Sequence, residues 1–315
     1  MTIMVSIASY CDPDLQNTID SLLTNATHPD QLRIVVCQQF APDEAPIDVH
    51  PQVVLDYMTA ADSLGCCWAR NRIMQRYQGE DFFLQIDAHM RFVPDWDTKL
   101  LEMHAQCPGP RSILSTYPLE MDAADHIIEI KPNRFDPDGF LVNEGVQLCM
   151  ADAPKVPASG PYISAALLFM PGELVTRCPY DPYLYFAGEE VMYAVRLWTH
   201  GWNIFFPNQV IARHDYKRHT AKRHWTDRQG WGDLDRRAKA RIRYLLGISD
   251  GLDAQYLTEI DKYGLGTART LQQYEALTGI SFASRTRFGQ PLGTNSAARI
   301  AEILETAARD LRGIK

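Results

Sequence analysis

The chain has 315 residues, 46% of them hydrophobic and 22% charged, with a formal net charge of −8. This balance is globular and supports a sizeable core; it excludes a disordered chain, a collagen and a small disulfide scaffold. No apolar run reaches the roughly 18 residues of a membrane-spanning helix, and the acidic surplus disfavours a general nucleic-acid binder while leaving room for a local basic groove. The seven cysteines include no Cys-x-x-Cys pair. The first residues read as a strand, not a signal peptide, so reduced thiols and a cytoplasmic location are expected.

In chain order, residues 3–9 read as a buried strand, and Asp12-Pro13 as a helix cap and first turn. Leu15, Ile19, Leu22 and Leu23 then recur at helical spacing. Strands are predicted at 32–38, 53–58 and 82–87, with a helix over 65–77. Strand–helix–strand order with apolar strands implies a parallel sheet covered by helices. Further strands are expected at 112–116, 127–130 and 162–170, and the Pro-, Gly- and Asp-rich residues 131–161 read as loops on the ligand side. A helix is expected over 188–200, then short strands at 203–206 and 209–212. Residues 213–243 carry eleven Lys/Arg against four Asp. Helical patterns follow at 254–263, 267–278 and 296–311, with Gly264 and Gly279 as helix-ending glycines.

The sharpest chemical signal is Asp87-Ala88-His89, at the end of a predicted strand. Residues i and i+2 share a side there, so a carboxylate and an imidazole can share one divalent ion, and mixed O/N ligation suits Mn²⁺ better than Ca²⁺. Taken alone, such a common triplet reads first as a capping carboxylate and a surface histidine. His214, after the strand at 209–212, is a candidate third ligand or an ordinary loop histidine. Glu189 and Glu190 open a predicted helix, where they either serve the helix dipole or position a hydroxyl. Arg70 and Arg72, in GCCWARNR (65–72), suit phosphate recognition or a solvated helix face. Adjacent Cys66 and Cys67 make poor metal ligands. Walker A, Gly-x-Gly-x-x-Gly, Gly-x-Ser-x-Gly and HExxH motifs are absent from the sequence.

In this order the pieces resemble a known family. FFLQIDAHMRF (82–92) followed by Trp96-Asp97 is similar to the core of the GlcNAc-type glycosyltransferases, relatives of the cytoplasmic enzymes that attach N-acetylglucosamine to hydroxyproline. The pattern includes Ala69-Arg70, PYDPYLYFAGEEVMYAVRLWTHGW (179–202), HDYKR (214–218) and the closing Leu245-Leu246-Gly247. The resemblance implies an α/β GT-A fold, a Rossmann-like mixed sheet flanked by helices, over residues 1–247, with 248–315 as a helical extension. It implies a metal-dependent retaining transferase using a UDP-sugar, UDP-GlcNAc first among them, with Mn²⁺ or Mg²⁺. Asp87, His89 and His214 would hold the metal. Ser6, Ser9, Tyr10, Asp12 and Arg70 would sit by the nucleotide, and Arg218, with Lys217, by the diphosphate. Glu189 and Glu190 would lie at the sugar–acceptor junction, and residues 213–243 would close over the donor as a lid.

The acceptor stays open: a protein, a glycan or a modified nucleobase in DNA. A metal-dependent nucleotide-sugar phosphohydrolase would use the same ligands, and a non-catalytic sugar-binding module would keep the fold. Oligomeric state is not encoded in any motif.

Overall fold

The computed structural model describes residues 1–41, 47–48, 50–217, 221–249, 251 and 253–292. Its first half runs β1 (Ile3–Tyr10), α1 (Leu15–Asn25), β2 (Leu32–Phe40), β3 (Val53–Thr59), α2 (Cys66–Met74), β4 (Phe82–Ile86), β5 (Met90–Phe92), α3 (Trp96–Gln106), β6 (Ser112–Ser115) and β7 (Leu119–Glu120). It continues with β8 (His126–Phe135), β9 (Leu141–Cys149), β10 (Ala158–Ser159), β11 (Leu167–Pro171), α4 (Leu174–Arg177), α5 (Glu189–Thr199), β12 (Asn203–Phe206) and β13 (Ala212–His214). After these come α6 (His224–Asp227), α7 (Trp231–Leu245), α8 (Ile260–Tyr263), α9 (Leu271–Thr278) and the short strands β14 (Ile280–Ser281), β15 (Thr286–Arg287) and β16 (Gln290–Pro291).

The main sheet has eight strands in the order β10-β12-β6-β11-β4-β1-β2-β3. Strand β1 pairs in parallel with β2 and β4, while β11 lies antiparallel between β4 and β6. The central strands are apolar on both faces because both faces are covered. Ile3, Val5 and Ile7 pack with Leu15, Ile19 and Leu22 of α1 and with Trp96 and Leu100 of α3. On the other face Met4, Val35 and Phe83 pack with Ile73 of α2 and with Val191 and Val195 of α5. Parallel strands that start together end together, so the carboxyl ends of β1, β2 and β4 share one edge, where open α/β sheets bind ligands. A three-stranded sheet, β5-β13-β7, caps that edge.

Several expectations change. Residues 131–161 are not simply loops: β8 and β9 form a long antiparallel hairpin. Its Pro132 sits at a register shift, and Asp136 and Gly139 build the turn, with Gly139 at φ +87° and its N–H donating to the Asp136 carbonyl at 2.9 Å. The turn-forming residues therefore punctuate a hairpin. The strand expected at 209–212 is Ala212–His214, because pairing to β5 sets its bounds; that expected at 162–170 starts only at Leu167. Helix α1 is capped at Asp14; Asp12 instead accepts the Asp14 N–H at 3.0 Å. The pattern at 254–263 splits into a 3₁₀ turn and α8, and Gly264 is extended, whereas Gly279 takes the left-handed conformation expected of it. Beyond residue 247 the extension is not purely helical, since it also holds β14, β15 and β16. The helix expected at 296–311 lies outside the described residues.

Candidate active site

At the carboxyl edge lies a cavity of about 480 Å³, the size of a small-molecule site. One wall carries Asp87 and His89, just beyond β4. Strand β13 supplies His214: it pairs antiparallel with β5, setting His214 opposite Met90, and the Asp215 N–H donates to the His89 carbonyl at 3.1 Å. The ligand atoms of Asp87, His89 and His214 all lie within 4.8 Å of one another. His214 Nε2 is 3.2 Å and His89 Nε2 4.0 Å from Asp87 Oδ2. Burial raises the Asp87 pKa, but the His214 hydrogen bond and the charges of His89 and Arg70 outweigh it and hold the carboxyl well below its ordinary range. A carboxylate and two imidazoles converging on one point form a donor set suited to Mn²⁺ or a similar first-row ion.

The opposite wall is the start of α5. Gly188, at φ +77°, turns the chain so that Glu189 and Glu190 both face the cavity. The two carboxylates have different environments. Glu189 Oε1 accepts from the Arg70 guanidinium at 2.8 Å, and Oε2 from the Tyr180 hydroxyl at 2.5 Å. Glu190 Oε1 accepts the Ala165 N–H at 2.7 Å, and Oε2 faces the Tyr117 hydroxyl at 3.4 Å. Burial, and next the charge of Glu189, push the Glu190 pKa up to about 8, against the pull of the Ala165 N–H and Arg70. Arg70 also reaches Asp87 Oδ1 at 3.7 Å, joining the two walls.

Of the residues expected at the nucleotide, Tyr10, Asp12, Arg70 and Asp87 line the cavity. Ser6 and Ser9 do not, and both are buried within β1: Ser9 points to the face opposite Ala8 and Tyr10, and Ser6, on their face, lies further from the carboxyl end of the strand. Asp12 is already engaged, with Oδ2 at 2.9 Å from His89 Nδ1. Arg218 lies outside the described residues. Arg72 turns away from the site and pairs with Asp56.

The basic stretch divides in two. Its second part is packed helix: Arg241 is 1% exposed and bonds Asp181 at 2.7 Å, and Lys239 bonds Asp138 at 2.7 Å. Of the described residues of this stretch, His214 and Tyr216 line the cavity next to β13, and Lys222, Arg223, His224 and Trp225 reach it from the segment beyond. His224 is pinned there between the Tyr185 hydroxyl, 2.7 Å from Nδ1, and the Ser63 carbonyl, 3.1 Å from Nε2.

Sequence reasoning missed Tyr117, Tyr180, Tyr185, His224 and the hairpin residues Leu141, Val142 and Asn143, all but Tyr180 in the cavity wall. Tyr180 and Tyr185 lie within the 179–202 motif, which by itself assigns them no role; Tyr117, His224 and the hairpin residues sit in no motif whose spacing signals chemistry and are recruited by long-range packing.

The family described as glycosyltransferase (GlcNAc) matches residues 2–54 and 41–284. Among solved structures, the chain is similar to GalNAc-T7 with UDP, GalNAc and Mn²⁺ (TM-score 0.61, 14% identity), covering 92% of this chain and 59% of that one. It also aligns with the mannosyltransferase PcManGT from Pyrobaculum calidifontis in complex with GDP-Man and Mn²⁺ (TM-score 0.49, 16% identity, 98% of this chain and 80% of that one). A third is S. aureus TarS 1-349 in complex with UDP-GlcNAc (TM-score 0.49, 11% identity, 84% and 71%). The chain thus spans 59% of the length of the GalNAc-T7 chain. No curated protein sequence matches it. Among the described residues no helix is long and apolar enough to cross a membrane. The eight-stranded mixed sheet flanked by helices is a GT-A fold, and the chain belongs to the GlcNAc glycosyltransferase family.

Proposed function

We propose that this glycosyltransferase is a metal-dependent, retaining enzyme that moves GlcNAc from UDP-GlcNAc to a hydroxyl of a protein or glycan acceptor. The observation that carries this reading is the convergence of Asp87, His89 and His214 on one wall of a cavity whose other wall holds Glu189 and Glu190. The family description supports GlcNAc as the sugar, and the UDP and Mn²⁺ of GalNAc-T7 support the nucleotide and the ion.

Asp87, His89 and His214 would hold the divalent cation, which would supply Lewis-acid stabilisation of the departing diphosphate. Arg70, buried between Asp87 and Glu189, and Lys222 and Arg223 at the far wall add fixed positive charge where negative charge develops. Glu190, protonated at neutral pH, hydrogen-bonds a hydroxyl of the sugar or the acceptor. Glu189 holds Arg70 in place through its ion pair. Tyr10 borders the nucleotide. We assign the catalytic unit to residues 1–247 and read the remainder as an extension that buttresses it, since Tyr274, Ile280 and Phe282 are buried in the same core as α5. Cys37, Cys66, Cys67, Cys107, Cys149 and Cys178 are free thiols, from which we read a reducing, cytoplasmic setting.

The test is a calorimetric panel of nucleotide sugars with Mn²⁺ and then with EDTA. UDP-GlcNAc should bind in preference to UDP-Gal and GDP-sugars, and much more tightly with Mn²⁺ than in EDTA. Absence of binding by every nucleotide sugar in the presence of Mn²⁺ overturns the proposal.

A further inference from the structure

We infer that Asp12 is a positioning residue for the metal ligand His89, not a contact to the nucleotide. The inference rests on the metal site proposed above. Asp12 follows the carboxyl end of β1 in a tight turn: Cys11 has φ +47° and its N–H donates to the Gln39 carbonyl at 2.9 Å. This turn carries the Asp12 carboxylate across to the segment after β4. The side chain is only 4% exposed. Oδ1 accepts the Asp14 N–H at 3.0 Å, and Oδ2 lies 2.9 Å from His89 Nδ1.

The backbone of the same segment is held independently. The Thr18 hydroxyl donates to the Ala88 carbonyl at 2.8 Å and accepts the Met90 N–H at 2.8 Å, while the Asp215 N–H donates to the His89 carbonyl. With its backbone fixed, the His89 ring retains rotation about its side-chain bonds, and Asp12 restricts that rotation. An imidazole whose Nδ1–H donates to a carboxylate carries its lone pair on Nε2. Nε2 is the atom on the Asp87 side, 4.0 Å from Oδ2. The carboxylate also makes that nitrogen a stronger donor to a cation.

His214 is oriented by other means. Its Nε2 faces Asp87, its ring packs on Tyr216 with centroids 4.1 Å apart, and Nδ1 is buried with no hydrogen-bond partner among the described residues. Among the described residues a carboxylate on the ring nitrogen remote from Asp87 is therefore found at His89 and not at His214, and Asp12 supplies it. This deepens the role of the β1 turn: Tyr10 and Asp12 both lie in the wall, and Asp12 serves the metal through His89.

The test uses the full chain and Mn²⁺ alone, titrated by electron paramagnetic resonance, on wild type and Asp12→Asn. UDP affinity is measured in parallel in EDTA. Asp12→Asn should weaken Mn²⁺ binding by about 10- to 100-fold and leave metal-free UDP affinity unchanged. Equal Mn²⁺ affinity in the two proteins overturns the inference, as does a parallel loss of metal-free UDP binding, which marks Asp12 as a nucleotide contact. Failure of the wild type itself to bind Mn²⁺ overturns the metal site as a whole. A second measurement needs no variant at Asp12: the ¹⁵N–¹H correlation of metal-free wild type, with His89 assigned through His89→Gln, should show the Nδ1–H tautomer. An Nε2–H tautomer there overturns the inference.

Discussion

Arg70 Nη1 lies 2.8 Å from Glu189 Oε1, and the two side chains are 7% and 6% exposed. A buried pair of this kind gives little net stability, but breaking it leaves an uncompensated charge. Adjacent carboxylates of α5 thus have separate surroundings: Glu189 neutralises Arg70, and Glu190 is the carboxyl whose pKa is raised, the one we propose for a substrate hydroxyl.

Truncating Glu189 tests the first. Glu189→Ala should cost about 3–5 kcal/mol in urea unfolding, because Arg70 stays buried without its main partner. Glu189→Gln keeps hydrogen bonding to Arg70 and Tyr180 and should cost less. An alanine variant within about 1 kcal/mol of wild type would show that water or a rearrangement takes over the role of Glu189.

Glu190 tests the second through pH. Its folded pKa, about 8, lies above the ordinary carboxyl value, so the native state holds a proton that the unfolded chain has lost. The stability this contributes is full below about pH 4.3 and is lost as pH rises through the folded value, with a slope of up to about 1.4 kcal/mol per pH unit. Glu190→Gln stays neutral and keeps an acceptor for the Ala165 N–H. In metal-free protein, thermal denaturation should therefore favour the variant over wild type progressively from pH 5 to 8. A difference that stays flat across that range refutes the raised pKa.

For the metal cluster, Asp87→Asn and His214→Ala should each lower transfer by about 100-fold or more, since Lewis-acid stabilisation is worth several kcal/mol and each 1.4 kcal/mol is about tenfold. Far-ultraviolet circular dichroism should be unchanged, because the side chain of Asp87 is 28% exposed and supports no core packing. Wild-type turnover in both variants, or full turnover in EDTA, would remove the metal from the reaction.

His224 anchors the segment that brings Lys222, Arg223 and Trp225 to the cavity. His224→Phe keeps an aromatic ring beside Tyr10, now at 5.1 Å from the imidazole, but loses the bonds to Tyr185 and Ser63. It should raise the donor KM more than it lowers kcat, and increase the share of donor hydrolysed to water. Burial lowers the His224 pKa, so wild type should also lose stability as pH falls below about 6.5, where the unfolded histidine takes up its proton first. Unchanged KM and unchanged hydrolysis in His224→Phe would show that the segment is not held through this ring.

The local pattern was legible where each residue's environment repeats along the chain. β1, β2 and β4 are continuous apolar runs, and α1 repeats Leu15, Ile19 and Leu22 on one buried face. The hairpin β8–β9 was not legible: strand β9, LVNEGVQLC, is mostly exposed or half-buried, so it shows neither the continuous apolar run of a covered strand nor a clean alternation.

The amino-acid order alone determined the central strands β1, β2, β3 and β4 of the main sheet with the helices between them, the placing of Asp87 and His89 across one intervening residue, and the family motifs that surround them. Tertiary structure decided the rest of the site. His214 reaches Asp87 only because β13 pairs with β5, and Asp12 turns to His89 only because β1 ends beside β4. It also separated Glu189 from Glu190, neighbours in sequence, by giving one to Arg70 and Tyr180 and the other to Ala165 and Tyr117. The reason is range: hydrogen-bond spacing within a strand or helix is local, whereas the partners that orient a ring or hold a carboxyl, Tyr180 at nine residues aside, come from segments 25 to 127 residues away, fixed only when the sheet assembles.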